Sequence, residues 1–366
     1  MLSPQAAHLT TARAFHNTLC VSVENFQEVL RAGFEQTDHA AIGRQLDEQA
    51  SLVESWREWI AMQTCIRVVN ALQCHDGEIA ATFQRRPMLR MPLSKAMFAA
   101  ADSTFQLRTA VEWQEAQAQQ VPRSGLAGIG GFASHHSIYS ACAFLESVLA
   151  EIIEVRLVKS DFMQVELERL ETTLVEKSKA YAELLHVAIS NKLYLKLLIH
   201  SCFIQLLCDF DHFERRIGKD GPQSSDDFES AIVREWTNTG RGQRCIMHAA
   251  SITHAASQFR LDDVPALHVA RTMYSAAVVL IVYSTYASSN VTASDQNLPG
   301  TLPESEILGN TALLFSRENV GRTSFLVEQC STLAFSLASA LRCIGPWQNA
   351  QRYASTLDAV LAEHDR

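Results

Sequence analysis

The densest acidic run in the sequence is Asp226-Asp227-Phe228-Glu229. Carboxylates so placed can share a Mg2+ ion and, through it, hold a diphosphate. The same residues stand where a polar loop, Gly218 to Asp227, gives way to a helical pattern through Ile232 and Trp236. At such a boundary Ser225 or Asp226 caps the helix, and acidic side chains complement its dipole without any ligand. No second acidic triad follows downstream, since Asn319 to Glu328 lacks the spacing. Capping is therefore the stronger reading.

Zinc requires ligands spaced so that two reach one ion, such as C-x-x-C or histidines three or four apart on a helix. Cys202 and Cys208 are six apart, as are His248 and His254, while the adjacent His135 and His136 point to different sides of a helix. The expectation is a chain with no metal ligand set and no cofactor. Gly125 to Gly131 could cradle a phosphate ahead of a helix capped by Ser134. However, no lysine follows it and no strand precedes it, so a linker is the better account. There is no G-x-S-x-G and no His-Glu-x-x-His. Catalysis is not expected.

The elements that would carry these residues read as helices throughout. Leu52, Trp56, Trp59, Ile60, Met62, Ile66, Val69 and Leu72 recur at steps near three and four, which makes an amphipathic helix. The pattern reaches Gly77, resumes from Ile79 to Phe83, and stops at Arg85-Arg86-Pro87. An earlier helix spans Pro4 to Leu30, and short helices lie around Phe98, Phe105 and Val111. Beyond residues 121–131, helices are predicted through Ile138 to Val155, Met163 to Leu184, Leu193 to Phe213 and Ile232 to Trp236. Gly240-Arg241-Gly242 then interrupts, followed by helices over Gln243 to Phe259 and from Asp263-Val264-Pro265 to Tyr286. Glu304 to Phe315, Thr323 to Leu341 and a stretch ending near Leu361 complete the set. No alternating pattern is long enough for a strand and no segment repeats at a fixed period, so the fold class is all-α, helix packed on helix. The glycine-rich stretch 121–131 divides an N-terminal part, 1–120, from a C-terminal part, 132–366, packed as one domain.

With 47% apolar and 19% charged residues the chain is that of a folded protein. A net charge of -9 gives no positive field with which to collect phosphates, which argues against DNA binding by these residues alone. Nine scattered cysteines, mostly in apolar helical stretches, fit reduced, buried thiols. No segment reaches the roughly 18 apolar residues of a membrane span. Met273 to Tyr286 is too short and reads as a helix surrounded by protein.

An ordered set of short motifs carries a resemblance. Trp56-Arg57-Glu58-Trp59-Ile60 is followed by Arg67, Gln84-Arg85-Arg86-Pro87, Met91-Pro92-Leu93, Met97-Phe98-Ala99-Ala100 and Val111-Glu112-Trp113. Together these resemble the fungal-specific transcription factor regulatory domain, in the version attached to two-Cys two-His zinc fingers. Leu184 to Ala188, Gly240-Arg241-Gly242-Gln243-Arg244 and Ala276 to Tyr286 are similar to later parts of that domain. The resemblance implies a nuclear, non-catalytic regulator of RNA polymerase II transcription. Its expected partners are other regulators, a second copy of itself or a small-molecule effector, with no membrane. DNA and zinc would be bound only by a finger module outside these residues. Its structural markers here are Trp56, Trp59, Arg67, Arg86, Pro87, Pro92, Trp113, Gly240 and Arg241. The chain departs from the family after W-x-x-W-I: Met62 to Ile66 and a single Arg67 replace an acidic residue and an arginine cluster, which predicts a reduced polar network. Phe98 stands near a usual tryptophan. The acidic run at Asp226, Asp227 and Glu229 resembles the magnesium motif of class I terpene cyclases, which are also all-α; that is the competing, enzymatic reading. A helical adaptor is a third.

Overall fold

The computed structural model describes residues 16, 18–22, 48–89, 98–120, 137–184, 189–218, 227–259, 265–287, 302, 304–308, 323–344 and 348–364. Among these the fold is all-α: thirteen helices packed on one another and no strand. Helical residues at 16 and 18–22 precede α1 (Glu48–Phe83), α2 (Asp102–Phe105), α3 (Ala110–Gln120) and α4 (Ile138–Val158). Next come α5 (Met163–Leu184), α6 (Ile189–Leu207), α7 (Phe210–Arg216), α8 (Asp227–Thr237) and α9 (Gly240–Ala256). The chain ends with α10 (Val269–Tyr286), α11 (Ser305–Leu308), α12 (Thr323–Cys343) and α13 (Gln348–His364). Two compact units result: Met1–Ala80 with Arg86–Ser147, and Ala81–Arg85 with Val148–Arg366. The boundary runs through α4, and the predicted linker 121–131 lies outside the described residues, as do Ser134 and Pro92.

Several helix ends differ from the sequence expectation, each for a local reason. Gly77 does not interrupt α1, because a Cβ there would lie 2.8 Å from the Cβ of Glu146; glycine serves close approach. The helix does end before the proline, at Phe83, where Gln84 takes φ 45°, a left-handed terminating conformation. Ser137 stands directly before α4, its hydroxyl accepting from the N–H of Tyr139 at 3.3 Å. The apolar stretch Leu193 to Phe213 is two helices, broken at Cys208-Asp209, since the Asp209 carboxylate caps α7 by accepting from the His212 N–H at 3.2 Å. Gly240-Arg241-Gly242 begins α9 and does not break a helix: the Thr239 hydroxyl accepts from the Gly242 N–H at 3.1 Å. Gly242 is required because a Cβ there would meet the Trp236 carbonyl oxygen at 2.4 Å. The helix expected from Asp263-Val264-Pro265 starts only at Val269, after a turn in which the Val269 N–H bonds the Ala266 carbonyl.

In the second unit α10 is the centre. Every residue from Val269 to Tyr283 is buried, and α6, α7, α8, α9, α12 and α13 pack around it. A helix covered on all sides can be apolar on all sides, which is the pattern of its sequence. In the first unit α1 is different. Its buried face mixes Ile66, Val69 and Ala80 with the polar Gln63, Asn70, Gln73 and Asp76 at helical steps.

Candidate functional site

Ala99 and Ala100 form an extended step between helices, and their backbone groups need partners away from regular structure. Side chains supply most of them. The Ala100 N–H donates to Gln63 Oε1 at 2.7 Å and its carbonyl accepts from Arg67 Nη2 at 2.9 Å. The Ala99 N–H donates to Ser140 Oγ at 2.9 Å, and its carbonyl accepts from the Ser137 N–H at 3.0 Å. Asn70 also donates to Ser140 Oγ, at 2.7 Å. Arg67 is the hub: Nη1 lies 3.1 Å from Asp102 Oδ1, and its guanidinium sits 4.1 Å from the centre of the Phe105 ring. Asp102 accepts in addition from the Ser137 hydroxyl at 3.0 Å. After W-x-x-W-I the chain thus carries a polar network built on one arginine. A single arginine suffices because Gln63 takes the backbone N–H while Arg67 takes the carbonyl.

The tryptophans of the same motif set meet here. Trp59 and Trp113 have ring centres 5.8 Å apart, and both are half-buried, as is Trp56. Glu112 forms a reciprocal cap with Thr109: its carboxylate accepts from the Thr109 N–H at 3.2 Å, and its own N–H donates to the Thr109 hydroxyl at 3.2 Å. Arg86 is exposed and Pro87 buried, beside the turn at Met88 and Leu89. The first unit therefore gathers Trp59, Arg67 and Trp113.

Gly240 and Arg241 belong to a separate device in the second unit. The last carbonyls of α6 have no partner within the helix. Arg156 donates through Nε to the Gln205 carbonyl at 3.0 Å and through Nη2 to that of Leu206 at 2.7 Å. Arg241 Nη2 adds a second bond to Leu206 at 3.0 Å, and the Trp236 indole donates to Leu207 at 3.1 Å. Burial pulls the Arg156 pKa down, against the attraction of Cys208 and Asp209. These cations complement the negative end of the α6 dipole. Gly240 has nothing within 4 Å of where a Cβ would stand, so its role is confined to starting α9.

Close by in the second unit is a buried network that the sequence did not announce. Arg244 Nε donates to Glu304 at 2.6 Å and Nη2 to Glu171 at 2.6 Å, tying α9 to α5 and to the turn before α11. Burial raises the Glu304 pKa, but the hydrogen bonds and charges of His248 and Arg244 outweigh it and hold the carboxyl at about 2. His248 Nε2 is 3.7 Å from that carboxylate, its ring stacks on Phe203, and its Nδ1 faces His200 Nδ1 at 2.9 Å. Burial holds both histidines below their ordinary value. Of the acidic run at Asp226, Asp227 and Glu229, the last two lie at the start of a helix. Asp226 lies outside the described residues, and Asp227 is the first residue of α8, the position a helix dipole favours for a carboxylate.

None of the nine cysteines is in a disulfide, and six are buried. One of them belongs to the second group that sequence reading overlooked. His16, Cys20 and Asp76 bring a ring nitrogen, a thiol and a carboxylate oxygen within 4.8 Å of one another, all buried. The signal was present: His16 and Cys20 are four apart on a helix. A search restricted to paired cysteines or paired histidines passed over a mixed pair, and Asp76 comes from a distant part of the chain. Among the described residues no single helix is long and apolar enough to cross a membrane. Comparison with protein-family models, with curated proteins and with solved structures found no match in any of the three.

Proposed function

We propose that this chain is a non-catalytic regulatory domain of a fungal transcription factor, of the type attached to two-Cys two-His zinc fingers. The observation that carries the reading is that motif residues far apart in the sequence touch one another within the first unit. Arg67 binds the Ala100 backbone and Asp102, and Trp59 pairs with Trp113 across the same unit. Separate short motifs acquire a common purpose there, which favours the ordered combination over chance. The net charge of -9 fits a division of labour in which a finger outside these residues reads DNA and this domain regulates. Its partners would be other regulators, a second copy or a small effector, and its place the nucleus.

The test is a tethered reporter in a fungal host, with the chain fused to a heterologous DNA-binding domain. The expected result is nuclear fluorescence of a tagged fusion and a change in reporter output that Arg67→Ala abolishes. An unchanged reporter together with a cytoplasmic fusion refutes the reading. So does turnover of a prenyl diphosphate with Mg2+ that is lost in Asp227→Ala.

A further inference from the structure

The group at His16, Cys20 and Asp76 is organised around one ring nitrogen. His16 Nε2 lies 2.9 Å from Asp76 Oδ1 and 3.5 Å from Cys20 Sγ. In a Cys-His-Asp proton relay the thiol and the carboxylate would engage opposite nitrogens of the ring. Here both face the same nitrogen, so three lone-pair donors converge on one point. The carboxylate is fixed independently, because Asp76 Oδ2 accepts from the N–H groups of Met88 and Leu89, each at 2.7 Å. The far side of the His16 ring is engaged as well, with Nδ1 facing His75 Nδ1 at 3.3 Å. Metal sites use outer contacts of this kind to fix which nitrogen faces the ion and how the carboxylate points.

We propose that His16 Nε2, Cys20 Sγ and Asp76 Oδ1 bind a divalent zinc-type cation. A mixed nitrogen, sulfur and oxygen set suits Zn2+ over Mg2+ or Ca2+, which take oxygen ligands. Bond lengths of about 2.0 Å to nitrogen and oxygen and about 2.3 Å to sulfur, at tetrahedral angles, require N···O near ~3.3 Å and N···S near ~3.5 Å. The observed 2.9 and 3.5 Å differ from these only by a small opening of the His16–Asp76 pair. Three protein ligands leave one corner for water. The ion would join the helical turn at residues 16–22 to α1 and to the turn at Met88 and Leu89, where Cys20, Val69 and Leu89 already form a small core. That location makes it a structural clasp in the first unit, independent of the transcriptional reading.

The test uses the full chain, its zinc content after gel filtration and Co2+ as a spectroscopic probe. Expected are one Zn2+ per chain and, on exchange, the visible bands of four-coordinate Co2+ with a thiolate-to-cobalt charge-transfer band. Cys20→Ser should abolish that charge-transfer band, and Cys343→Ser, on an exposed cysteine, should leave it intact. A metal-free protein with no cobalt spectrum overturns the proposal, as does a charge-transfer band that survives in Cys20→Ser. Should Cys20→Ser fail to fold, the wild-type chain decides: its melting midpoint must fall on chelation and recover with Zn2+, and an unchanged midpoint refutes the site.

Discussion

Helices α1 and α10 are both long and both partly or wholly buried, yet they are held by different forces. In α10, burial is complete from Val269 to Tyr283 and mostly apolar, with Arg271, Thr272 and Ser275 the polar exceptions and Leu280 among the fully buried residues. In α1, buried amides and a carboxylate share the stripe with apolar residues, and Gln63 and Asp76 bind backbone groups of residues outside the helix. Hydrophobic burial is non-directional and tolerates slight displacement, whereas a hydrogen bond made by a buried amide demands one position. The two helices are therefore specified differently, α1 by directed contacts added to its apolar burial and α10 mainly by volume.

That contrast can be broken by mutation. Leu280→Ala in the fully buried α10 should cost about 2 to 5 kcal/mol, read as a lower denaturant midpoint for the second unit. Acid should act on the second unit next. Burial holds His268 at about 4 against an ordinary 6.5, so the unfolded chain takes up the proton first and stability falls as pH drops from 6.5 toward 4. Glu304, held at about 2 against an ordinary 4.5, contributes stability above pH 4.5 that is lost as pH falls toward 2. Each group is worth about 3 kcal/mol at most, and Glu304→Gln should flatten the lower limb of a stability-versus-pH curve.

Gly77→Ala tests whether close approach governs α1. Alanine gains about 1 kcal/mol in helix propensity, but the clash with Glu146 should outweigh it and leave a net loss of about 1 to 2 kcal/mol. Arg67→Lys keeps the charge but cannot hold Ala100, Asp102 and Phe105 together, and should cost about 1 kcal/mol in thermal unfolding. A neutral result would reduce Arg67 to a surface ion pair. The smallest effect belongs to Trp59→Ala. Trp59 is half-buried, and the loss of its pairing with Trp113 should cost about 1 kcal/mol by equilibrium denaturation.

Legibility followed the same division. The apolar period of α10 and the charged outer face of α5 could be read directly, because burial and solvation leave a mark on residue type. The roles of Gln63, Asn70 and Asp76 could not, since a polar residue on a helix reads as solvated until a distant segment supplies its partner. The same holds for Arg244 with Glu171 and Glu304, and for His16 with Asp76, which are separated by 60 residues.

Sequence by itself determined the all-α class, the extents of most long helices and the stop before Pro87, because periodicity, proline and charge are local physics. Tertiary structure decided that Gly77 and Gly242 serve close approach, that Arg241 closes the end of α6, and that a histidine, a thiol and a carboxylate share one point. Those facts depend on which backbone passes where, and no local pattern carries that information.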